Sequence, residues 1–229
     1  MTGSRTECVV NGTRSKRQAD NYIRNPEFQD FSSRRIMADI RATYEQQLCD
    51  LVEASDPLMV ALRTVRSLGL SSWCIGAGAI RSLVWDALHG FQNPSKVDDL
   101  DVAYFDVDAA PGQDADLQEK LSLLAPHLAW DVTNQAKVHE WLVDASGRAV
   151  APLTSLQDGL ATWPEFATCV GVYLDDDESL HVIAPHGLND LFELLVRHNP
   201  RRASAATFMD RVHSKRFGAR WPRVSICVP

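Results

Sequence analysis

Two aspartates spaced two residues apart, Asp99 and Asp101, and an upstream glycine pair, Gly76 and Gly78, are the side chains and backbone positions best suited to chemistry. They lie in one stretch, Trp73 to Asp106, reading WCIGAGAIRSLVWDALHGFQNPSKVDDLDVAYFD. Carboxylates are hard oxygen donors for divalent cations such as magnesium. In an extended chain, side chains at i and i+2 share a face and their alpha carbons lie about 7 Å apart. Asp99 and Asp101 then point one way, and Asp98 points the other way with Leu100, Val102 and Tyr104. Oxygens so placed can converge on one cation, or on two cations about 4 Å apart, the separation used for in-line displacement at phosphorus. Glycine lets backbone amides approach phosphate oxygens, and a helix start favours negative charge. The combination points to metal-dependent phosphoryl or nucleotidyl transfer.

These residues need a strand, a turn, a helix and a second strand to hold them. Ser72 to Ile75 is short and apolar, as a buried strand requires, and it feeds the turn Gly76-Ala77-Gly78. Ile80, Leu83, Val84, Ala87 and Leu88 then form one helical stripe that Gly90 can end. Arg81 falls in the first turn of this helix, where it can add a charge-assisted contact to a phosphate. The β-branched and aromatic residues after Asp101 argue for a strand there and against a helix. An isolated acidic pair is often only a solvated strand edge. Here the glycine turn, helix and loop return the chain beside its first strand.

Downstream, HLAWDVTNQAKVHEWL supplies a third strand with Trp130 and Val132 on one side and Asp131 on the other. Asn134 is placed to cap the next helix, on which Gln135 and His139 lie one turn apart and can line a pocket floor. Ser155 to Trp163 reads as a short helix, and Thr168 to Leu174 with Ser179 to Ala184 as a hairpin around an acidic turn. Asn189 is expected to cap a buried helix LFELLV. From Arg197 to Arg223, eight Arg or Lys residues face the single acid Asp210, and Phe208, Val212 and Phe217 suggest an amphipathic helix with Arg211, Lys215 and Arg216 exposed. Such a patch can receive a triphosphate or a nucleic-acid acceptor such as RNA.

Upstream, residues 1–33 are polar and aperiodic, the composition of a flexible tail. Ile36, Ile40, Tyr44, Leu48 and Leu51 then mark a long amphipathic helix, and Asp56-Pro57 opens a second helix that Gly69 ends. Residues 34–229 are expected to form a single domain. With 229 residues and 45 % hydrophobic content, the chain can bury a sizeable core. Its formal charge of -7 gives no global footprint for nucleic acid. Five scattered cysteines without metal-ligand spacing suit a reducing compartment, and no apolar run reaches the length of a membrane span. The expected location is the cytosol.

A glycine turn opening a helix, followed by a strand bearing the aspartate pair, resembles the nucleotidyltransferase superfamily of polymerase-beta-type fold. GAGAIRSLVWD is similar to the glycine-glycine-x-valine-arginine-aspartate signature of tRNA nucleotidyltransferases and bacterial poly(A) polymerases. The set GAGAIRSLVWDALHG, DDLDVAYFD, WDVTNQAKVH, WPEFATCVGVYL, IAPHGLNDLFELLVR and KRFGARWP more closely resembles a bacterial and fungal family of small nucleotidyltransferase-like proteins, over roughly Leu68 to Pro222. The resemblance implies an α+β fold with a small mixed sheet flanked by helices. Gly76 and Gly78 match its nucleotide-binding turn, and Asp99 and Asp101 its metal pair. It also implies a third carboxylate from a neighbouring strand, for which Asp131 is the candidate, as metal ligand or base. Ala79 stands where many members have serine, and Ser82 where the signature has aspartate. Asn134 and His139 are secondary nucleotide-binding candidates.

The implied reaction moves a nucleoside monophosphate from a nucleoside triphosphate such as ATP to an acceptor hydroxyl, with magnesium or manganese as cofactor. Two other classes remain open on sequence alone: a catalytically silent nucleotide-binding relative, and a toxin-like modifier of tRNA or protein.

Overall fold

A computed structural model of the chain describes residues 39, 43–144 and 147–228. The tail expected over residues 1–33 and the start of the first amphipathic helix lie outside them. Residues from Arg41 onward form one compact unit, and the following concerns that unit.

Helix α1 occupies residues 43–53. It buries Leu48 and Val52 completely and stacks Tyr44 on Phe192 at 4.7 Å between ring centroids. Helix α2 (Asp56–Arg66) begins at the Asp56-Pro57 step, where proline costs no hydrogen bond, and buries Leu58, Ala61, Leu62 and Val65. Val60 is exposed on the outer side. Gly69 follows in a left-handed conformation (φ 70°) and turns the chain toward the sheet.

The sheet order is β3-β2-β1-β4-β5. Strand β1 (Trp73–Gly76) is central and antiparallel to both β2 (Leu100–Tyr104) and β4 (Gly171–Leu174). Helix α3 (Ala77–His89) connects β1 to β2 through a polar loop and ends at Gly90, again left-handed (φ 68°). Helix α4 (Gln113–Leu124) carries the crossover that lets β3 (Trp130–Asn134) lie parallel to β2. Strand β5 (Leu180–Ile183) closes the expected hairpin with β4.

Alternation divides the sheet into two faces. Trp73, Ile75, Val102, Tyr104, Trp130 and Val132 enter the main core with the buried stripes of α1, α2 and α3. Trp85, Trp221, Phe208 and Phe217 fill its centre. Each contributes on the order of 2–3 kcal/mol by burial. The indole N–H groups are satisfied, Trp85 by the Leu191 carbonyl at 2.9 Å and Trp221 by Asp86 at 2.7 Å. The other face carries Cys74 and Ala103, covered by Leu156 and Leu160 of helix α5 (Leu156–Leu160). Asp101 and Asp131 belong to this second face.

The C-terminal third departs from the sequence reading. LFELLV is not one helix: α6 (Asn189–Phe192) is a single turn, and β6 (Leu195–Arg197) then pairs in parallel with β7 (Ser225–Cys227). Asn189 is the first residue of that turn, with Leu188 at the cap. Helices α7 (Ala205–Lys215) and α8 (Phe217–Arg220) lie between these two strands in sequence. Among the described residues, no helix is long and apolar enough to cross a membrane.

Candidate active site

The parallel register of β2 and β3 puts Asp101 directly beside Asp131. Adjacent strands lie about 4.8 Å apart, so the two side chains leave the same face as neighbours. Asp99 stands immediately before β2. The Asp101 carboxyl is pushed up to about 6, first by burial, then by the charge of Asp99, with Asp131 adding to the effect. A hydrogen bond from the Gly78 amide and the charge of Lys215 oppose the shift. The charges of Asp99 and Asp131 thus repel the Asp101 carboxylate, whose charge burial already disfavours.

A hard divalent cation suits this all-oxygen set, because its charge would relieve that repulsion. Asp99, Asp101 and Asp131 are the candidates that would hold it. Among the described residues, no group of three or more acidic, histidine or cysteine side chains is arranged to hold a metal ion.

Strand β1 runs straight into α3, with Gly76 as the helix cap and Ala77 in the left-handed region at φ 49°. Gly76 is required by space. A Cβ there would fall 2.7 Å from the Val170 carbonyl oxygen and 2.8 Å from the Trp163 ring. Gly78 is different: its hypothetical Cβ would meet only Arg81 Nη2 at 3.7 Å and Asp101 Oδ2 at 3.8 Å, ordinary contacts. The Ala77 amide donates to the Val170 carbonyl at 3.1 Å, and the Gly78 amide to Asp101. Two first-turn amides of the glycine turn are therefore already engaged within the protein.

Arg81 is one turn deeper than its sequence position suggested and is only 4 % exposed. Its guanidinium lies 5.6 Å from the ring of Trp85, 5.1 Å from Phe217 and 5.3 Å from Trp221. Its Nε is buried and has no hydrogen-bond partner among the described residues. Burial pulls its pKa down to about 10, against the opposing charges of Glu165 and Asp101. Arg81 is therefore a core cation beside Gly78 and Asp101.

Asn134 caps the next segment as expected, accepting from the Ala136 amide at 3.0 Å. It also exchanges hydrogen bonds with the backbone of Asp106, so its side chain ties two segments together. The segment it caps, Gln135–Glu140, is a 3-10 helix. With three residues per turn, positions four apart no longer share a face. Gln135 reaches the carboxylate-side cavity, whereas His139 does not line it, and its buried Nδ1 has no partner among the described residues.

The basic helix contributes what the sequence reading misassigned. Arg211, expected on an exposed face, pairs through Nε with Glu165 Oε1 at 2.6 Å, and Glu165 is only 1 % exposed. Burial works against the Arg211 charge, but Glu165, with Asp101 and Asp99 beyond it, holds the guanidinium above its ordinary value. Lys215, at the end of α7, acts on Asp101 electrostatically. An amphipathic stripe marks which residues are apolar, but not that the polar side turns toward an acidic sheet edge. Beside Asp101 and Asp131 opens a cavity of about 370 Å³, also lined by Trp163, Val138 and Arg202.

Comparison with known proteins bears on the fold and the family. A solved structure described as revealing a CCA-adding enzyme head domain matches with a TM-score of 0.66 at 24 % identity, covering 80 % of this chain and 96 % of that one. That likeness supports the fold. A tRNA-processing enzyme in one apo form matches at 16 % identity with a TM-score of 0.42, covering 72 % of this chain and 44 % of that one. No curated protein matches the chain. The family model described as Nucleotidyltransferase matches residues 63–226, spanning β1, the glycine turn, all three aspartates and the basic helices. The chain belongs to the nucleotidyltransferase family.

Proposed function

We propose that this protein is a metal-dependent nucleotidyltransferase that moves a nucleoside monophosphate from a triphosphate to an acceptor hydroxyl. The observation that carries this reading is the Asp99, Asp101 and Asp131 set, in which a half-buried carboxyl is pushed up to about 6 beside two other acids. Asp99, Asp101 and Asp131 would hold magnesium or manganese, which supplies charge stabilisation when bound. Lys215, and Arg81 behind Gly78, give the same region positive potential for a triphosphate. Because the Ala77 and Gly78 amides are engaged, these cations take over part of the work assigned from sequence to the backbone.

In the reaction, the acceptor oxygen forms a bond to the alpha phosphorus as the bond to the bridging oxygen of pyrophosphate breaks. The hydroxyl proton passes to a carboxylate oxygen, for which the exposed Asp131 is the best placed. The positive side chains stabilise charge on departing pyrophosphate. The acceptor class extends to RNA, since the basic segment from Arg197 to Arg223 offers a surface for it. The resemblance to a CCA-adding enzyme head domain agrees with that choice.

The test is release of pyrophosphate and transfer of label from the alpha phosphate, with magnesium present, against a panel of RNA, protein and small hydroxyl compounds. A second reading, a catalytically silent nucleotide-binding relative, is favoured by the engaged first-turn amides and by the lack of a group arranged to hold a metal ion among the described residues. It predicts metal-dependent triphosphate binding without release of pyrophosphate under any acceptor.

A further inference from the structure

The cavity beside the carboxylates is not the place where the cations gather. Gly76, Gly78, Arg81 and Lys215 do not line it, whereas Asp101 belongs to both regions. In-line displacement puts the incoming oxygen and the leaving pyrophosphate on opposite sides of the phosphorus. If the cations mark the pyrophosphate side, the attacking hydroxyl arrives from the other side of Asp101. The cavity adjoins Asp101 and Asp131 and is not lined by those cations.

Its chemistry is specific. Asp101 and Asp131 stand on its sheet wall, while Trp163, Trp141 and Val138 give apolar surface for a ring. Arg202 lines it from the segment leading into α7. Arg202 Nη2 is fixed by the Ala151 carbonyl, while Nη1, shielded from solvent, has no hydrogen-bond partner among the described residues. A volume of about 370 Å³ holds a single ring-bearing unit, and not a folded partner.

We propose that this cavity is the acceptor site, and that it takes a ring-bearing alcohol with one anionic group: the hydroxyl meets Asp101 and Asp131, the ring lies against Trp163, and the anion meets Arg202. This rests on the nucleotidyl-transfer reading. A ribonucleoside monophosphate has this chemistry, whether free or as the last unit of an RNA chain.

The probes are uridine 5′-monophosphate, uridine, and a short oligoribonucleotide ending in uridine. Their binding is measured by calorimetry on the full chain, with the nucleotide site filled by magnesium and a non-hydrolysable triphosphate. Uridine 5′-monophosphate binds under these conditions, and uridine binds about tenfold or more weakly because it lacks the anion. Arg202→Gln removes that difference by weakening the monophosphate alone, and leaves the affinity for the triphosphate analogue unchanged. Trp141→Ala, at a position 66 % exposed and therefore safe for the fold, weakens uridine and its monophosphate together. Competition by the oligoribonucleotide identifies a chain end as the source, and its failure identifies a free compound. Absence of any monophosphate binding to protein that holds the triphosphate analogue overturns the acceptor assignment alone. So does an Arg202→Gln variant that loses the analogue itself, which would make the cavity the base pocket. A wild type that binds no triphosphate analogue overturns the nucleotidyl-transfer reading, and the acceptor role falls with it.

Discussion

The amide of Gly78 donates a hydrogen bond to the carboxylate of Asp101, joining the start of α3 to the sheet face that carries the acids. The helix end thereby stabilises a charge that burial and two neighbouring aspartates oppose. The compensation is incomplete, since the Asp101 carboxyl remains raised to about 6.

Stability should follow that shift. An unfolded aspartate titrates near about 3.9, so between about 4 and 6 the folded protein binds the extra proton. The favourable contribution of protonated Asp101 is complete below the unfolded value and lost as pH rises through about 6. Without metal, Asp101→Asn should therefore be more stable than wild type at pH 7.5, by on the order of 1–2 kcal/mol, with the gain disappearing toward pH 4. Urea denaturation in chelator at both pH values checks this. A variant that is less stable at pH 7.5 would contradict it.

Arg81 occupies space between three aromatic rings, so its loss acts through packing as well as charge. Arg81→Ala should lower stability by about 2–4 kcal/mol, a core-sized effect for a residue whose type suggests a surface. Loss of under about 0.5 kcal/mol in denaturant, the range for exposed positions, would remove Arg81 from the core.

Glu165 and Arg211 form an ion pair in which the carboxylate has almost no access to water. Arg211→Met leaves that charge uncompensated and should cost about 3–5 kcal/mol. Adding Glu165→Gln should recover most of the loss. A double-mutant cycle with no coupling would show that the pair does not form in solution.

Adjacent positions in the glycine turn should respond with opposite signs. Gly76→Ala forces a Cβ onto the Val170 carbonyl and the Trp163 ring and should destabilise strongly. Ala77→Gly relieves a left-handed alanine and should stabilise by about 1 kcal/mol. Thermal melts of the two variants decide the matter.

The first half of this architecture was readable because its signals are local. Pro57, Gly69 and Gly90 punctuate helices, and the alternation of VDDLDVAYF separates Asp101 from Val102. The same period correctly set Trp130 and Val132 inward and Asp131 outward. Long-range facts were not readable in this way. LFELLV has helical spacing, yet Leu195–Arg197 pairs with Ser225–Cys227, a partner far along the chain that no local pattern announces. Arg81 and Arg211 look like solvated cations until the rings of Phe217 and Trp221 and the carboxylate of Glu165 are brought to them. The 3-10 geometry after Asn134 likewise follows from packing, and it separates His139 from Gln135.

The central claim is that Asp99 and Asp101 hold a cation that recruits a triphosphate. Calorimetric titration of each nucleoside triphosphate, with and without magnesium, into wild type and Asp99→Asn/Asp101→Asn tests it most directly. Magnesium-dependent binding to wild type is expected, with its loss in a variant that remains folded. Equal binding to both proteins, or binding indifferent to magnesium, would contradict it.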